Sequence, residues 1–394
     1  MPKTDRGAGP PRLSRRQFIS VLTACGVLGG CGSSPDIPTG SFDGKVVVIG
    51  AGAAGIAAAH FLARAGVDVT VLEAAATHGG RIKTVRDFVD FPIALGGEWL
   101  HTRARELDDV TGTRDHGIEM AGYRDMERFG LWENGEFAVE NTRGGSDLKF
   151  VGRTWLDVFD EFLVPLIADV IQYNAVVDYV DYSGKVIVVS TQDGATYQAD
   201  RLIVTAPIVQ LRDHIRFLPP LPESHQNTLR TMNVWGGFKM FVQFRERFYP
   251  GSFEIAGRAN QSGQLLFYDA AHGQRSDANV LGLFSVGTGS EPYQRADARG
   301  ELIEHLLAEL DPIFAGQASK NYLQHVAQNW SAEPHIGMAY LADNADWRGP
   351  RRLSAPVENR IYLAGDAYIA DLEGWSMVHL AARSGRSAVE KILV

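Results

Sequence analysis

The stretch "VVVIGAGAAGIAAAHFLARAGVDVTVLE", residues 46–73, decides how this chain begins to fold. Residues 45–49 carry a β-branched run, the pattern of a strand covered on both faces. A small-residue helix is predicted over 53–65 and a second buried strand over 67–72, which completes a βαβ unit. Gly50, Gly52 and Gly55 satisfy G-x-G-x-x-G between strand and helix. Gly50 permits the tight turn, Gly52 lets backbone approach a pyrophosphate, and Gly55 lets helix and strand pack closely. The helix then opens at Ala53 and Ala54, whose end stabilises phosphate charge. Glu73 ends the second strand, where a carboxylate accepts hydrogen bonds from ribose hydroxyls and disfavours a 2′-phosphate. A dinucleotide is therefore expected here. The unit alone leaves open whether it carries nicotinamide or flavin.

Three further segments choose between them. "HGGRI" supplies Gly79, Gly80 and Arg81, a second glycine turn with a cation placed to meet phosphate. "LGGEWLH", residues 95–101, follows with Gly97 and Glu98. Far along the chain, "IYLAGDA" places Gly365 and Asp366 after a buried strand. A nicotinamide domain has no use for a second phosphate loop and a distant strand returning to the same ligand. A long, permanently bound FAD does.

The composition suits such a protein. With 394 residues, 45% hydrophobic and 22% charged, the chain is long enough for roughly two domains. The expected fold class is α/β (α+β overall), a Rossmann-like FAD-binding domain with an interleaved mixed-sheet substrate domain. The first takes residues 45–100, 176–212 and 346–394, the second residues 101–175 and 213–345. "TWLDVFDEFLVPLIADVI", 154–171, has helical spacing broken at Pro165. "KVIVVST", "TYQADRLIVTAP", "FKMFVQF" and "NVLGLFSV" read as strands, and "ARGELIEHLLAELDPIF" as an amphipathic helix. From Arg360 a strand and a helix run to the end, while residues 101–145 carry no clear period.

The N-terminus reads as an address. "SRRQFIS", Ser14 to Ser20, sets paired arginines before an apolar run, and so resembles a twin-arginine export signal over residues 1–31. "LGGC" ends it in the manner of a lipoprotein processing box with Cys31 as the lipidated residue; an ordinary cleavable signal is the alternative. Residues 32–44 form a Ser/Pro/Gly-rich tether. Cys25 and Cys31 are the only cysteines, so the exported body holds no disulfide. The net charge is -9 although the first thirty residues are basic, and so acidic a body is a poor partner for nucleic acid or anionic lipid. Membrane association is expected only through Cys31. Oligomeric state is not legible, and no histidine shows metal-ligand spacing.

Taken together, these motifs resemble the flavin-containing amine oxidase family, over residues 45–101, 176–249 and 325–394. The resemblance implies that Gly79, Gly80 and Arg81 touch the pyrophosphate and ribityl region, that the backbone at Val177 meets adenine, and that Asp366 lies on the ribityl chain. It places Val378, after Met377, at the start of a helix aimed at the isoalloxazine. A helix N-terminus there stabilises negative charge on the reduced ring.

On the reacting side the resemblance assigns Lys239 to hold a water against flavin N5; a lysine snorkelling from a strand edge is the other reading. In "WSAEPHIGMAY", Trp330 precedes by ten residues Tyr340, one wall of an aromatic substrate cage, unless that ring is simply core. The second wall comes from "EGWSMV", either Trp375 or Met377. Ala339 stands where some members bond the flavin through cysteine, so the FAD is expected to be non-covalent. Ala94 replaces a family acid, and Glu98 with His101 either faces the active site or forms a solvated loop pair. The implied reaction removes hydride from the carbon α to a neutral small-molecule amine, with O2 or another acceptor regenerating the flavin. A dehydrogenase or desaturase, or a flavoprotein serving a partner enzyme, are the alternatives.

Overall fold

The structure is a computed structural model, and it describes residues 38–122, 128–140, 147–258, 260, 262–342, 346–369 and 376–393. The expected export signal, both cysteines and Trp375 lie outside the described residues.

The opening βαβ unit forms as its sequence dictates. Val46, Val47 and Val48 are fully buried in the strand Lys45–Ile49, which pairs in parallel with Asp68–Leu72 on one side and Arg201–Val204 on the other. Ile171–Gln172 and Ile361–Leu363 complete a five-stranded parallel sheet. The edge strand Ile171–Gln172 lies just ahead of the domain boundary expected at residue 176. The helices Ala53–Arg64 and Val378–Ile392 pack on one face of this sheet. First and last segments of the chain thus share one core.

The segment "TYQADRLIVTAP", read as one strand, is two. Thr196–Ala199 joins an antiparallel meander with Ile187–Thr191 and Val177–Asp181, whereas Arg201–Val204 enters the parallel sheet. The switch falls at Asp200, whose N–H donates to the Lys45 carbonyl and whose carboxylate accepts from the Lys45 N–H, both at 2.8 Å. Likewise the helix expected over "ARGELIEHLLAELDPIF" begins only at Leu302, because Gly300 takes φ +70° and ends the preceding helix Glu291–Ala298. Beyond Phe162 the chain turns through two 3-10 segments, Val164–Leu166 and Ala168–Val170, the first holding Pro165.

The second layer is a seven-stranded mixed sheet, in the order Tyr322–Asn329, Gly237–Phe244, Asn279–Gly287, Gly263–Asp269, Ser252–Ile255, Phe129–Glu133, Glu136–Glu140. Phe129–Glu133 and Glu136–Glu140 come from the stretch without a clear period. One face of the sheet packs its own core, with Phe238, Met240 and Leu283 against Leu306 and Leu310 of the helix Leu302–Leu310. The other face carries Lys239, Phe284 and Tyr268 toward the first domain.

Candidate active site

The two glycine loops build one cradle. The N–H of Gly50 donates to the Leu72 carbonyl (2.8 Å), closing the turn, and a Cβ at Gly55 would lie 1.8 Å from the Gly50 oxygen. Only glycine fits there. Gly79 donates to the Ala51 carbonyl at 2.8 Å and bridges to Gly52, so the "HGGRI" turn, Gly80 included, docks on the first loop. The helix from Ala53 and Ala54 has no side-chain cap and no acid in its first turn, leaving its N–H groups to a bound anion. Glu73 does more than the sequence indicates. Its two oxygens accept the backbone N–H of Ala51 (2.6 Å) and of Ala75 (2.9 Å), tying the loop to the turn after the second strand. Burial pushes its carboxyl up, against the pull of those two bonds. Lone pairs remain on both oxygens for ribose hydroxyls. Val177, on the neighbouring meander, lines the same end of the cavity.

The far end is built from the C-terminus. Asp366 follows Ile361–Leu363 and Gly365, and its carboxylate accepts two bonds from the Arg81 guanidinium, at 2.6 and 3.1 Å. Arg81 donates as well to the Ala339 carbonyl. The two residues expected at the ribityl region of the cofactor therefore hold one another. Met377 precedes the uncapped helix Val378–Ile392, and Ser376 before it takes φ +68°. A non-glycine residue in that region is strained. A Cβ at Gly97 would meet the Val378 side chain at 2.6 Å, so glycine alone lets the "LGGE" loop pass this helix start. The Ser376 hydroxyl and His379 Nδ1 are both buried without a partner. Burial, then His101 and Arg383, pushes His379 down to about 3, which keeps it neutral.

Between the ends runs one cavity of about 1200 Å3, from Glu73 and Val177 past Arg81 to Lys239 and Tyr340. It exceeds an ordinary small-ligand pocket of roughly 300–1000 Å3. A dinucleotide and a second molecule fit together.

On the reacting side, Lys239 is 3% exposed on a strand paired on both sides, which closes the snorkelling alternative. Its Nζ donates to Glu98 (2.6 Å) and to the Gly96 carbonyl (2.9 Å). The other Glu98 oxygen meets Lys149 Nζ at 3.0 Å, and Tyr268 donates its hydroxyl to the first at 2.6 Å. Burial would raise the Glu98 carboxyl, but Lys239, Lys149 and these hydrogen bonds overcome it and hold it at about 2. Burial also lowers Lys239, with Lys149 adding to the effect and Glu98 opposing it. Glu98 and His101 are therefore not a loop pair: Glu98 is an interior ion, while His101 is half-buried and reaches Asp147 at 3.2 Å.

Trp330 is buried and donates Nε1–H to the Leu95 carbonyl at 3.0 Å. Tyr340, paired with Trp235 across a short antiparallel ladder, lines the cavity. Its ring lies nearly parallel to that of Phe284, 12° apart at 6.4 Å. Met377 lines the cavity too, and Ala339 occupies the position before Tyr340. Lys149, Tyr268 and Phe284 were not singled out from the sequence. For Tyr268 and Phe284 the signal is register: Lys239 pairs with Phe284, and Phe284 with Leu266, so alternate residues of three strands face one side, whereas Lys149 comes from a separate three-stranded sheet, where it pairs with Trp99.

Two family models match the chain. One, an NAD(P)-binding Rossmann-like domain, covers residues 48–110; the other, flavin containing amine oxidoreductase, covers residues 163–393, more than half of the sequence. The chain belongs to the flavin containing amine oxidoreductase family. It is 24% identical to lysine-specific histone demethylase 2 of Homo sapiens, over 84% of this chain and 51% of that protein. Polyamine oxidase 4 of Oryza sativa subsp. japonica is 23% identical, with 88% of each covered. L-amino-acid oxidase of Mus musculus is 25% identical over 88% of this chain and 70% of its own. The chain thus spans about half the length of the human demethylase. A putrescine oxidase structure superposes with a TM-score of 0.73 at 17% identity, covering 89% of this chain and 99% of the other, which establishes the shared fold. The family brings FAD, and the residues fit it. Two glycine loops and Glu73 form one end, while an uncapped helix with an orphaned serine hydroxyl forms the other.

Proposed function

We propose that this family member oxidises the CH–NH bond of a small-molecule amine, with FAD held non-covalently and O2 as electron acceptor. The observation that carries the reading is the single cavity joining the FAD cradle to a buried lysine and to the Tyr340 and Phe284 rings. Held by the Gly50–Gly52 and Gly79–Gly80 loops, FAD would supply the two-electron acceptor for the hydride on the carbon α to the amine and the route by which both electrons, with two protons, reach O2 as H2O2. The resulting imine takes up water and leaves as a carbonyl and ammonia or a smaller amine. Tyr340 and Phe284 orient the apolar part of the substrate and exclude water. Lys239, Glu98 and Lys149 together carry one excess positive charge beside the cavity, which favours a neutral amine over an ammonium. An amine that arrives neutral needs no catalytic base. Arg81 and Asp366 hold the far loops against each other, and the uncapped N-terminus of the C-terminal helix at the cavity would favour negative charge on a reduced cofactor bound there.

The test is anaerobic mixing of the yellow protein with a panel of mono-, di- and polyamines and L-amino acids. At least one amine is expected to bleach the flavin, with peroxide appearing once air is admitted. Failure of every amine to bleach it refutes the reading. Bleaching without peroxide assigns a different acceptor.

A further inference from the structure

The reading above uses Lys239 but does not explain why three ionised side chains are buried together. Lys239, Glu98 and Lys149 are 3%, 6% and 5% exposed. Glu98 and either lysine would already make a neutral pair. A second buried ammonium adds desolvation cost with no counter-ion of its own, so its presence calls for a reason.

The geometry supplies one. The Glu98 oxygens are divided between the two lysines, Lys149 at 3.0 Å on one and Lys239 at 2.6 Å on the other, where the Tyr268 hydroxyl also donates. Lys149, on the strand Leu148–Phe150, is itself tied to the Ala270 carbonyl. The Tyr268 ring rests on Gly282, where a Cβ would come within 2.5 Å of it. The carboxylate is thus fixed from behind by groups on two strands that do not carry Lys239. In front, Lys239 Nζ spends two of its three N–H donors on Glu98 and the Gly96 carbonyl, 5.1 Å from the Trp99 ring centre and 5.2 Å from that of Phe241. One N–H remains for a molecule in the cavity that Lys239 lines.

We infer that Glu98 is a positioning residue for Lys239, and that Lys149 and Tyr268 are what hold Glu98 in place to do it. In this assignment Glu98, which also lines the cavity, acts through Lys239, although its place in the "LGGE" loop suggests a cofactor ligand. Lys149 draws one carboxylate oxygen away, so that Lys239 is gripped by a single oxygen and keeps its remaining donor free. The inference rests on the proposed role of Lys239 beside the flavin, and on no particular amine.

The experiment reads the flavin without substrate. FAD-loaded wild type, Lys239→Met, Glu98→Gln and the double variant are reduced with dithionite, mixed with aerated buffer, and followed by flavin absorbance per bound FAD. Loss of a placed group costs about tenfold or more in rate, and misplacement by an ångström has a similar effect. Lys239→Met is therefore expected to reoxidise at least about tenfold more slowly, Glu98→Gln comparably, and the double variant no more slowly than Lys239→Met alone. A wild-type rate in Glu98→Gln with a slow Lys239→Met overturns the inference, as do effects that multiply in the double variant. A wild-type rate in Lys239→Met instead overturns the role of Lys239 itself, and this inference with it. Should Glu98→Gln fail to accumulate folded, Lys149→Met and Tyr268→Phe decide: slowed reoxidation with FAD retained supports the inference. Wild-type rates in both, with only a lower melting temperature, overturn it.

Discussion

His379 shows what burial does to a single titratable group in this site. It sits in the first turn of the C-terminal helix, 7% exposed, with Nδ1 unpartnered and its pKa pushed down to about 3. The unfolded chain binds a proton on this imidazole near its ordinary value of about 6.5, well before the folded protein does. Between those two values the unfolded state holds more protons, so acid favours unfolding. Stability should therefore fall as pH drops below about 6.5, by up to about 1.4 kcal/mol per pH unit from this residue, until the folded protein also protonates near 3. Replacing His379 by Leu, of similar volume, removes that contribution. Thermal melts of the FAD-loaded wild type and His379→Leu from neutral to acid pH are expected to differ increasingly as pH falls, the wild type losing stability faster than the variant. Parallel pH dependences would show that His379 does not titrate between the two states. Glu98 acts in the same sense over a lower pH range. Its carboxyl, held at about 2, contributes stability that persists above the ordinary carboxylate range and is lost only as pH falls from that range through about 2.

Among the elements, the contact between the "LGGE" loop and the C-terminal helix decides whether the cradle closes. Gly97 passes Val378 so closely that a Cβ would sit 2.6 Å from its side chain, at the end of the helix whose free N–H groups face the cavity. Overpacking of this kind costs about 1–3 kcal/mol, which corresponds to about a five- to 150-fold loss in affinity if it falls on the holo state. Gly97→Ala is expected to weaken FAD binding to that extent while leaving helix content unchanged, measured by flavin fluorescence on titrating the stripped protein and by circular dichroism. Unaltered FAD affinity would show that the loop yields without disturbing the cradle. Elements of this local kind were legible in the sequence. The βαβ unit announces itself because a β-branched run, a glycine turn and a small-residue helix are each specified by neighbours along the chain. "TYQADRLIVTAP" was misread because its apolar pattern continues across Asp200, and pattern alone does not show that the two halves pair with different strands. Lys149, Tyr268 and Phe284 were missed for the same reason. Each is an unremarked member of its own strand: Tyr268 and Phe284 join the site through the register of the seven-stranded sheet, and Lys149 through a separate three-stranded sheet in which it pairs with Trp99.

At the scale of the whole molecule, the FAD cradle closes only when the chain's two ends meet. Gly50 and Glu73 directly follow the strands Lys45–Ile49 and Asp68–Leu72, while Asp366 comes just after Ile361–Leu363 and Val378 opens the C-terminal helix, with the parallel sheet joining Lys45–Ile49 through Arg201–Val204 to Ile361–Leu363. A partly made or unfolded chain has no complete cradle, so cofactor loading requires the folded body. Among the described residues no helix is long and apolar enough to cross a membrane. The paired arginines Arg15 and Arg16 and the "LGGC" box ending at Cys31 precede this body. We propose that the protein leaves the cytoplasm folded, with FAD already bound, and is then tethered outside through a lipid on Cys31. This predicts that Arg15→Lys with Arg16→Lys keeps FAD-loaded protein in the cytoplasm. Cys31→Ser would abolish lipidation and shift the protein from the membrane fraction to the soluble one, with FAD content unchanged. Fractionation followed by flavin quantitation checks both. Export of the double-lysine variant at the wild-type level would refute the twin-arginine route. A wild type found wholly in the soluble fraction outside the cytoplasm would instead assign the leader as an ordinary cleaved signal, since lipidation at Cys31 is the tether proposed.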